Sequence, residues 1–258
     1  MNTWSINQKI IALWETERRN KDSIKLGFFE KIPQFFTPEL NDTKKTILYV
    51  GINPSFSHAN FRRLTKKIKD KNKKLCKSLR LRDYKDTERF YKWPDKKITE
   101  NYLSQLKEID RGFEEFTYSS KAKKIADFCS LNVFATDLFL MRGTSQKEIE
   151  KIIFAGKREN KTLTPFAEKQ IEIFFDIVQA IQPRIILVAN ASASKIIKDY
   201  LGKNRDVAWN DDLGTYAIKI MRKGRGVPIF FSGMLSGQRA LDNYSFQRLA
   251  WQIKRCIN

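Results

Sequence analysis

Ile185-Ile186-Leu187-Val188-Ala189 is an apolar run without a polar break, entered from Pro183 and left toward Ser192-Ala193-Ser194-Lys195-Ile196-Ile197. A short, β-branched, wholly apolar run predicts a strand buried on both faces. Ser192 to Leu201 reads as the helix that follows, with Gly202 as its stop. Upstream, Thr164-Pro165 supplies an N-cap and a first-turn proline for a helix running to Gln182, where Pro183 ends it. Downstream come Tyr216 to Met221, a basic turn at Lys223-Gly224-Arg225-Gly226, and the strand Val227 to Phe231. Toward the N-terminus, Ile47 to Val50 is a short buried strand ended by Gly51, and Ile6 to Arg19 is a helix. Lys121 to Leu131 is a helix feeding the strand Asn132 to Phe139, and Phe246, Leu249, Ile253 and Ile257 mark a C-terminal helix. This alternation predicts an α/β chain, a three-layer α/β/α fold on a central, mostly parallel four-stranded sheet. We expect one domain over 1–258, with a basic helical insertion at about 58–120.

Composition narrows the function classes. With 19 Phe and 5 Trp in 258 residues there is ample core material, and disorder is excluded. No apolar run approaches the roughly 20 residues that span a bilayer. Met1-Asn2-Thr3-Trp4 lacks a charged-then-apolar signal pattern, so the expected location is the cytoplasm. Cys76, Cys129 and Cys256 stand far apart with no CxxC pair, which argues against a four-thiolate cluster, a zinc site or a disulfide framework. One histidine, His58, excludes chemistry that needs two. The expectation is a monomer with no metal, no cofactor and no membrane.

The net charge of +20 is concentrated. Between His58 and Lys85 stand 12 Lys/Arg against Asp70 and Asp83, half of the excess. Leu64, Ile68, Leu75 and Leu79 fall on one helical face, predicting an amphipathic helix whose outer face is a basic ridge. Arg62, Arg63, Lys66, Lys69, Lys73 and Lys77 lie on that ridge. The bland reading is a solvated surface; the functional one is a polyanion contact, most simply the phosphates of DNA.

Sites in such sheets form where loops leave the carboxyl ends of the strands. Gly51-Ile52-Asn53-Pro54-Ser55-Phe56-Ser57 leaves the first strand, and glycine there lets the backbone approach a ligand. Asp137 puts a carboxylate inside an apolar run. Ser232-Gly233-Met234-Leu235-Ser236-Gly237-Gln238-Arg239 leaves the last strand, small and polar around one protruding Leu.

Here the chain resembles the uracil-DNA glycosylase superfamily. GINPS at Gly51 to Ser55 resembles its GINPG-type first motif, and ATDLF at Ala135 to Phe139 its TN(L/V)-type strand. PRIILVANASASKII, Pro183 to Ile197, resembles its PRxIVALGATAA segment. FSGMLSGQRALDNYSFQRL, Phe231 to Leu249, is similar to its HPSPLS loop and following helix. The segments come in family order, and the stretch from His58 to Ser120 is unmatched. The resemblance implies an enzyme that flips a base out of DNA and hydrolyses its N-glycosidic bond. The departures are specific. Phe231 or Ser232 stands where some members have a histidine, and Thr65 and Lys66 stand where a base-stacking aromatic is usual. Phe56 or Phe61 would substitute for that aromatic. Asp137 replaces the base-reading Asn.

By that resemblance Asn53 positions the attacking water, and Gly51, Ile52, Pro54, Ser55, Phe56 and Asp137 surround the base. Ser232 and Gly233 pinch the phosphates, Ser236 belongs to the same DNA-binding loop, Arg239 contacts a phosphate, and Leu235 is the wedge that fills the gap left by the flipped base. An ionised Asp137 accepts hydrogen bonds only, which suits the N4 amino group of cytosine and repels O4 of uracil. Members that exclude 5-substituted pyrimidines carry a bulky Tyr where Ser55 stands. Both departures point to 5-modified cytosine, such as the hydroxymethyl or glucosylated bases of some phage DNA, and to a defence role. Repair of uracil or another deaminated base, a catalytically inactive DNA binder, and a small-molecule nucleoside hydrolase are the competing readings. The basic ridge argues against the last, because a neutral nucleoside needs no phosphate track.

Overall fold

The computed structural model describes residues 2–24, 27–38, 45–54, 58–71, 73–114, 119–143, 145–156, 161–204, 207–219, 226–235 and 240–257. In chain order the elements are α1 (Thr3–Arg19), α2 (Lys21–Ile24), β1 (Thr46–Gly51), α3 (His58–Lys71), α4 (Lys73–Ser78), α5 (Tyr84–Phe90) and α6 (Glu100–Glu114). Then come α7 (Ser119–Cys129), β2 (Asn132–Asp137), α8 (Gln146–Ile153), β3 (Phe154–Ala155), β4 (Thr162–Leu163), α9 (Pro165–Ile181) and β5 (Ile185–Ala189). The last are α10 (Ala191–Asn204), β6 (Val207–Asn210), β7 (Thr215–Ile218), β8 (Val227–Ser232) and α11 (Asn243–Arg255). Two compact units interleave along the chain. A helical unit comprises Met1–Thr37, Asn53–Glu115 and Phe139–Phe174; a sheet unit comprises Pro38–Ile52, Phe116–Leu138 and Phe175–Asn258. The segment expected as an insertion, 58–120, divides between them: its residues up to Glu115 belong to the helical unit with α1 and α8, and the rest to the sheet unit.

In the sheet unit the strand order is β2-β1-β5-β8-β7-β6. The pairs β1–β2, β1–β5 and β5–β8 are parallel, whereas β8–β7 and β7–β6 are antiparallel. The α/β class and the mostly parallel order agree with the sequence reading, but the sheet has six strands rather than four. Beyond the four parallel strands stand β7, which covers the start of the stretch read from Tyr216, and β6, which escapes a search for apolar runs because it is Val-Ala-Trp-Asn, with Ala208 and Trp209 exposed. They add as an antiparallel hairpin that needs only one buried face.

Alternation along the strands divides the core. Ile47, Tyr49, Ile185, Leu187 and Phe230 face α7 and α11, whose Ala122, Ile125, Ala126, Leu249, Ala250 and Ile253 complete one apolar cluster. Phe231, on the opposite face, lies 4.7 Å under the Lys198 ammonium of α10. Helices therefore cover both faces, which is why β5 is buried throughout. The helix read as ending at Gly202 continues to Asn204, since one exposed glycine near a helix end is tolerated. The strand read to Phe139 ends at Asp137.

In the helical unit Trp14, Phe29 and Phe166 pack edge to face with ring centroids 5.1–5.7 Å apart. Thr164 caps α9 as its sequence predicts, accepting from the Ala167 N–H at 3.2 Å. The single amphipathic helix expected from His58 onward is instead α3 and α4, followed by a turn with Arg80 at φ 54°. Among the described side chains of α3, Thr65 and Ile68 are buried, with Thr65 hydrogen-bonded to Thr87 of α5 at 2.8 Å. Among the described residues no helix is long and apolar enough to cross a membrane. No group of three or more His, Cys, Asp or Glu is gathered among them as a metal site.

Candidate functional site

The chain leaves β1 for β2 on one side and later returns to β5 on the other. That reversal makes the carboxyl ends of β1 and β5 the topological switch point, the usual ligand position in such sheets. The four resembling segments leave four adjacent strands along that edge. Gly51 is in register with Asp137, Val50 with Val188, and Ala189 with Ser232.

Gly51 is required by proximity. A Cβ there would overlap Asp137 Oδ1 and stand 3.2 Å from Cγ, so the carboxylate lies directly over the glycine backbone. The Leu138 N–H donates to Gly51 O at 3.1 Å and fixes the two strand ends together. Asp137 is half-buried at the carboxyl end of β2, and Ile52, the residue after Gly51, is buried. Sequence reasoning missed Asn190. Its Oδ1 accepts from the Ser192 and Ala193 N–H groups at 2.9 and 3.0 Å and caps α10. An Asn directly after an apolar strand and before a helix is the signal that marks it. Ser194 Oγ donates to Ser232 O at 3.4 Å, tying α10 to the end of β8.

Leu235 corrects the wedge expectation. It is 1% exposed and belongs to the cluster beneath α7 and α11. Small neighbours in sequence cannot bury a leucine, but the folded chain brings the partners from other elements. Next to Leu235 in the chain, Met234 O accepts from the Leu241 N–H at 2.9 Å. Ser232 and Gly233 are half-buried at the loop's start. Ser55, Phe56, Ser236 and Arg239 lie outside the described residues.

Within the helical unit, Asn53 is held by its amide nitrogen. Nδ2 donates to Gly143 O at 2.8 Å and to Pro54 O at 3.4 Å. Carbonyls accept only, so the orientation of the amide is fixed and Oδ1 is left without a partner among the described residues. A fixed acceptor of this kind can hold one hydrogen of a water. The Gly143 N–H donates back to Pro54 O at 3.1 Å, closing a clamp around the motif. Gly143 was not legible as a site residue: it stands 90 positions from Asn53 and contributes only main chain.

The basic ridge is exposed, as read: Arg62, Arg63, Lys66, Lys69, Lys73 and Lys77 all reach solvent. The Arg62 guanidinium lies 5.0 Å over Tyr84, and Lys69 Nζ bonds Arg82 O. Burial pushes the thiols of Cys76, Cys129 and Cys256 above their ordinary value, which suits packing rather than nucleophilic attack. Comparison of the chain with protein-family models, with curated proteins and with solved structures gave no match.

Proposed function

We propose that this chain is a DNA glycosylase that takes a 5-substituted cytosine out of the helix and hydrolyses its N-glycosidic bond. The observation that carries this reading is the Asn53 clamp: an amide whose nitrogen is committed to Gly143 O while its oxygen, without a partner among the described residues, can orient water. In the reaction the water oxygen bonds to C1′ and the C1′–N1 bond breaks. Its electron pair leaves with the base, and the water's proton passes to the base or solvent. Asn53 is too weak a base to keep that proton, so it orients rather than abstracts. Positive charge builds on the sugar ring, and base release gains from main-chain N–H groups near the leaving base.

Asp137 is the specificity residue in this reading. A carboxylate has about four acceptor sites, so it can take the N4 amino group of cytosine beside its existing contacts. Ser232 and Gly233 approach the phosphates, and the exposed ridge of α3 and α4 supplies the electrostatic track. Leu235 has no part in it. The hydroxymethyl and glucosylated cytosines of phage DNA are the bases with the required bulk, which makes defence the proposed role.

The test uses DNA carrying uracil, cytosine, hydroxymethylcytosine or glucosylated hydroxymethylcytosine at one position. The wild type is expected to release the modified cytosine, and Asp137→Asn to shift release toward uracil. Efficient wild-type release of uracil with no action on any cytosine derivative would leave ordinary uracil repair. Tight DNA binding with no release of any base would leave an inactive binder.

A further inference from the structure

We infer that Arg142, Asp110 and Tyr91 form a buried polar lock that positions Asn53. The inference rests on the reading of Asn53 as the water-orienting residue. All of its parts lie in the helical unit.

Arg142 immediately precedes Gly143, whose carbonyl holds Asn53. Its side chain is only 4% exposed, so a guanidinium is buried next to the clamp. Nη2 stands 2.8 Å from Asp110 Oδ2 on α6. The other carboxylate oxygen, Oδ1, accepts from the Tyr91 hydroxyl at 2.6 Å. The guanidinium also lies 4.7 Å over the Tyr91 ring. Three groups from three parts of the chain thus fix one another in a closed arrangement.

The same loop is fixed on its other side. The Leu140 N–H donates to Gln170 Oε1 at 2.9 Å, and Leu140 O accepts from the Gln34 N–H at 2.9 Å. Residues Phe139 to Gly143 are all buried.

An ion pair with a buried guanidinium and a half-buried carboxylate adds little stability, because taking the guanidinium out of water offsets much of the attraction. It does impose geometry, since the planar guanidinium accepts few arrangements against a carboxylate and a ring. The Tyr91 hydroxyl stays a donor throughout the useful pH range: burial and the adjacent Asp110 charge push it well above its ordinary value. A displacement of about 1 Å at a reacting group can cost about a hundred-fold in rate, which is the scale on which such a lock matters. Tyr91 and Asp110 lie in the stretch that no resembling segment covers. Their role here is to hold the loop that holds the water-orienting amide. They are positioning residues, not catalytic ones.

The experiment compares the full-length wild type with Tyr91→Phe and with the double variant Asp110→Asn/Arg142→Gln. The double variant removes both charges together, so no orphan charge is left buried. Tyr91→Phe keeps the ring under the guanidinium and removes one hydrogen bond, and it carries the test should the double variant not fold. The first readout is the Asn53 side-chain amide resonance in a proton–nitrogen correlation spectrum, assigned by its loss in Asn53→Ala. Its exchange with water is expected to be about ten-fold faster in the variants. The second readout is base release, where kcat is expected to fall about ten-fold at unchanged DNA affinity. Unchanged amide exchange, or unchanged kcat in an active protein, overturns the lock. A wild type that releases no base refutes the glycosylase reading alone, because the amide exchange still decides whether the lock holds Asn53.

Discussion

The sheet unit and the helical unit are held together by different means. In the sheet unit β1 and β5 are buried almost end to end, and α7 and α11 share an apolar cluster with one face. Its long-range side-chain ties, such as Lys254 Nζ to Phe128 O at 3.0 Å and Arg184 to Ile257 O at 2.9 Å, sit at the exposed surface. In the helical unit, comparable side-chain ties to main-chain groups lie in the interior. Asn7 both donates to Phe36 O and accepts from the Phe36 N–H, at 2.8 and 2.9 Å, across 29 positions. Arg18 donates to Phe29 O at 2.8 Å, Trp14 to Lys31 O at 3.2 Å, and Gln170 Oε1 accepts from Leu140 N–H. An apolar core tolerates exchange among side chains of similar volume, whereas each polar tie has one acceptable partner. A side chain whose orientation has to be held gains more from the second kind of surroundings, and Asn53 stands in the unit that has them.

The contrast can be broken by substitution. Leu235→Ala is expected to cost about 2–5 kcal/mol, the range for removing a buried leucine side chain from an apolar core. A loss well under about 1 kcal/mol in chemical denaturation would return Leu235 to the surface and reopen the wedge reading. Asn7→Ala is expected to cost somewhat less, about 2–4 kcal/mol, since it removes two buried hydrogen bonds to the Phe36 main chain together. If that variant is as stable as the wild type, polar ties do not hold the helical unit. The smallest effect concerns Tyr102, whose hydroxyl burial pushes up to about 12, with Arg142 opposing and Asp110 adding to the shift. The neutral form is favoured by folding, so this contribution is complete below pH about 10 and fades as pH rises toward about 12. Denaturation curves across that window should flatten in Tyr102→Phe relative to wild type, and identical alkaline limbs would contradict the assignment.

The same contrast explains what was legible in the sequence. Ile185 to Ala189 declared itself as a buried strand because every residue obeyed one rule, and the Thr164 cap could be read for the same reason. β6 could not be read, because an edge strand with exposed Ala208 and Trp209 has no such rule to obey. Leu235 was misread because its burial comes from residues distant in sequence, such as Leu249 and Ile253. Gly51, Asn53 and Asp137 could be singled out from composition and loop position. The structure adds that Gly51 exists to admit Asp137, and that Asn53 depends on the Gly143 carbonyl. Tyr91, Asp110 and Arg142 gave no signal at all, since a lock built from three separated residues has no local pattern.

The central claim is that Asn53 orients the water that cleaves a glycosidic bond in DNA. Mass spectrometry of the bases freed from phage and bacterial DNA by the wild type and by Asn53→Ala tests it most directly. The account predicts release of a 5-substituted cytosine by the wild type and a fall of at least about a hundred-fold in Asn53→Ala, with DNA affinity retained. Equal release by the two proteins would contradict it.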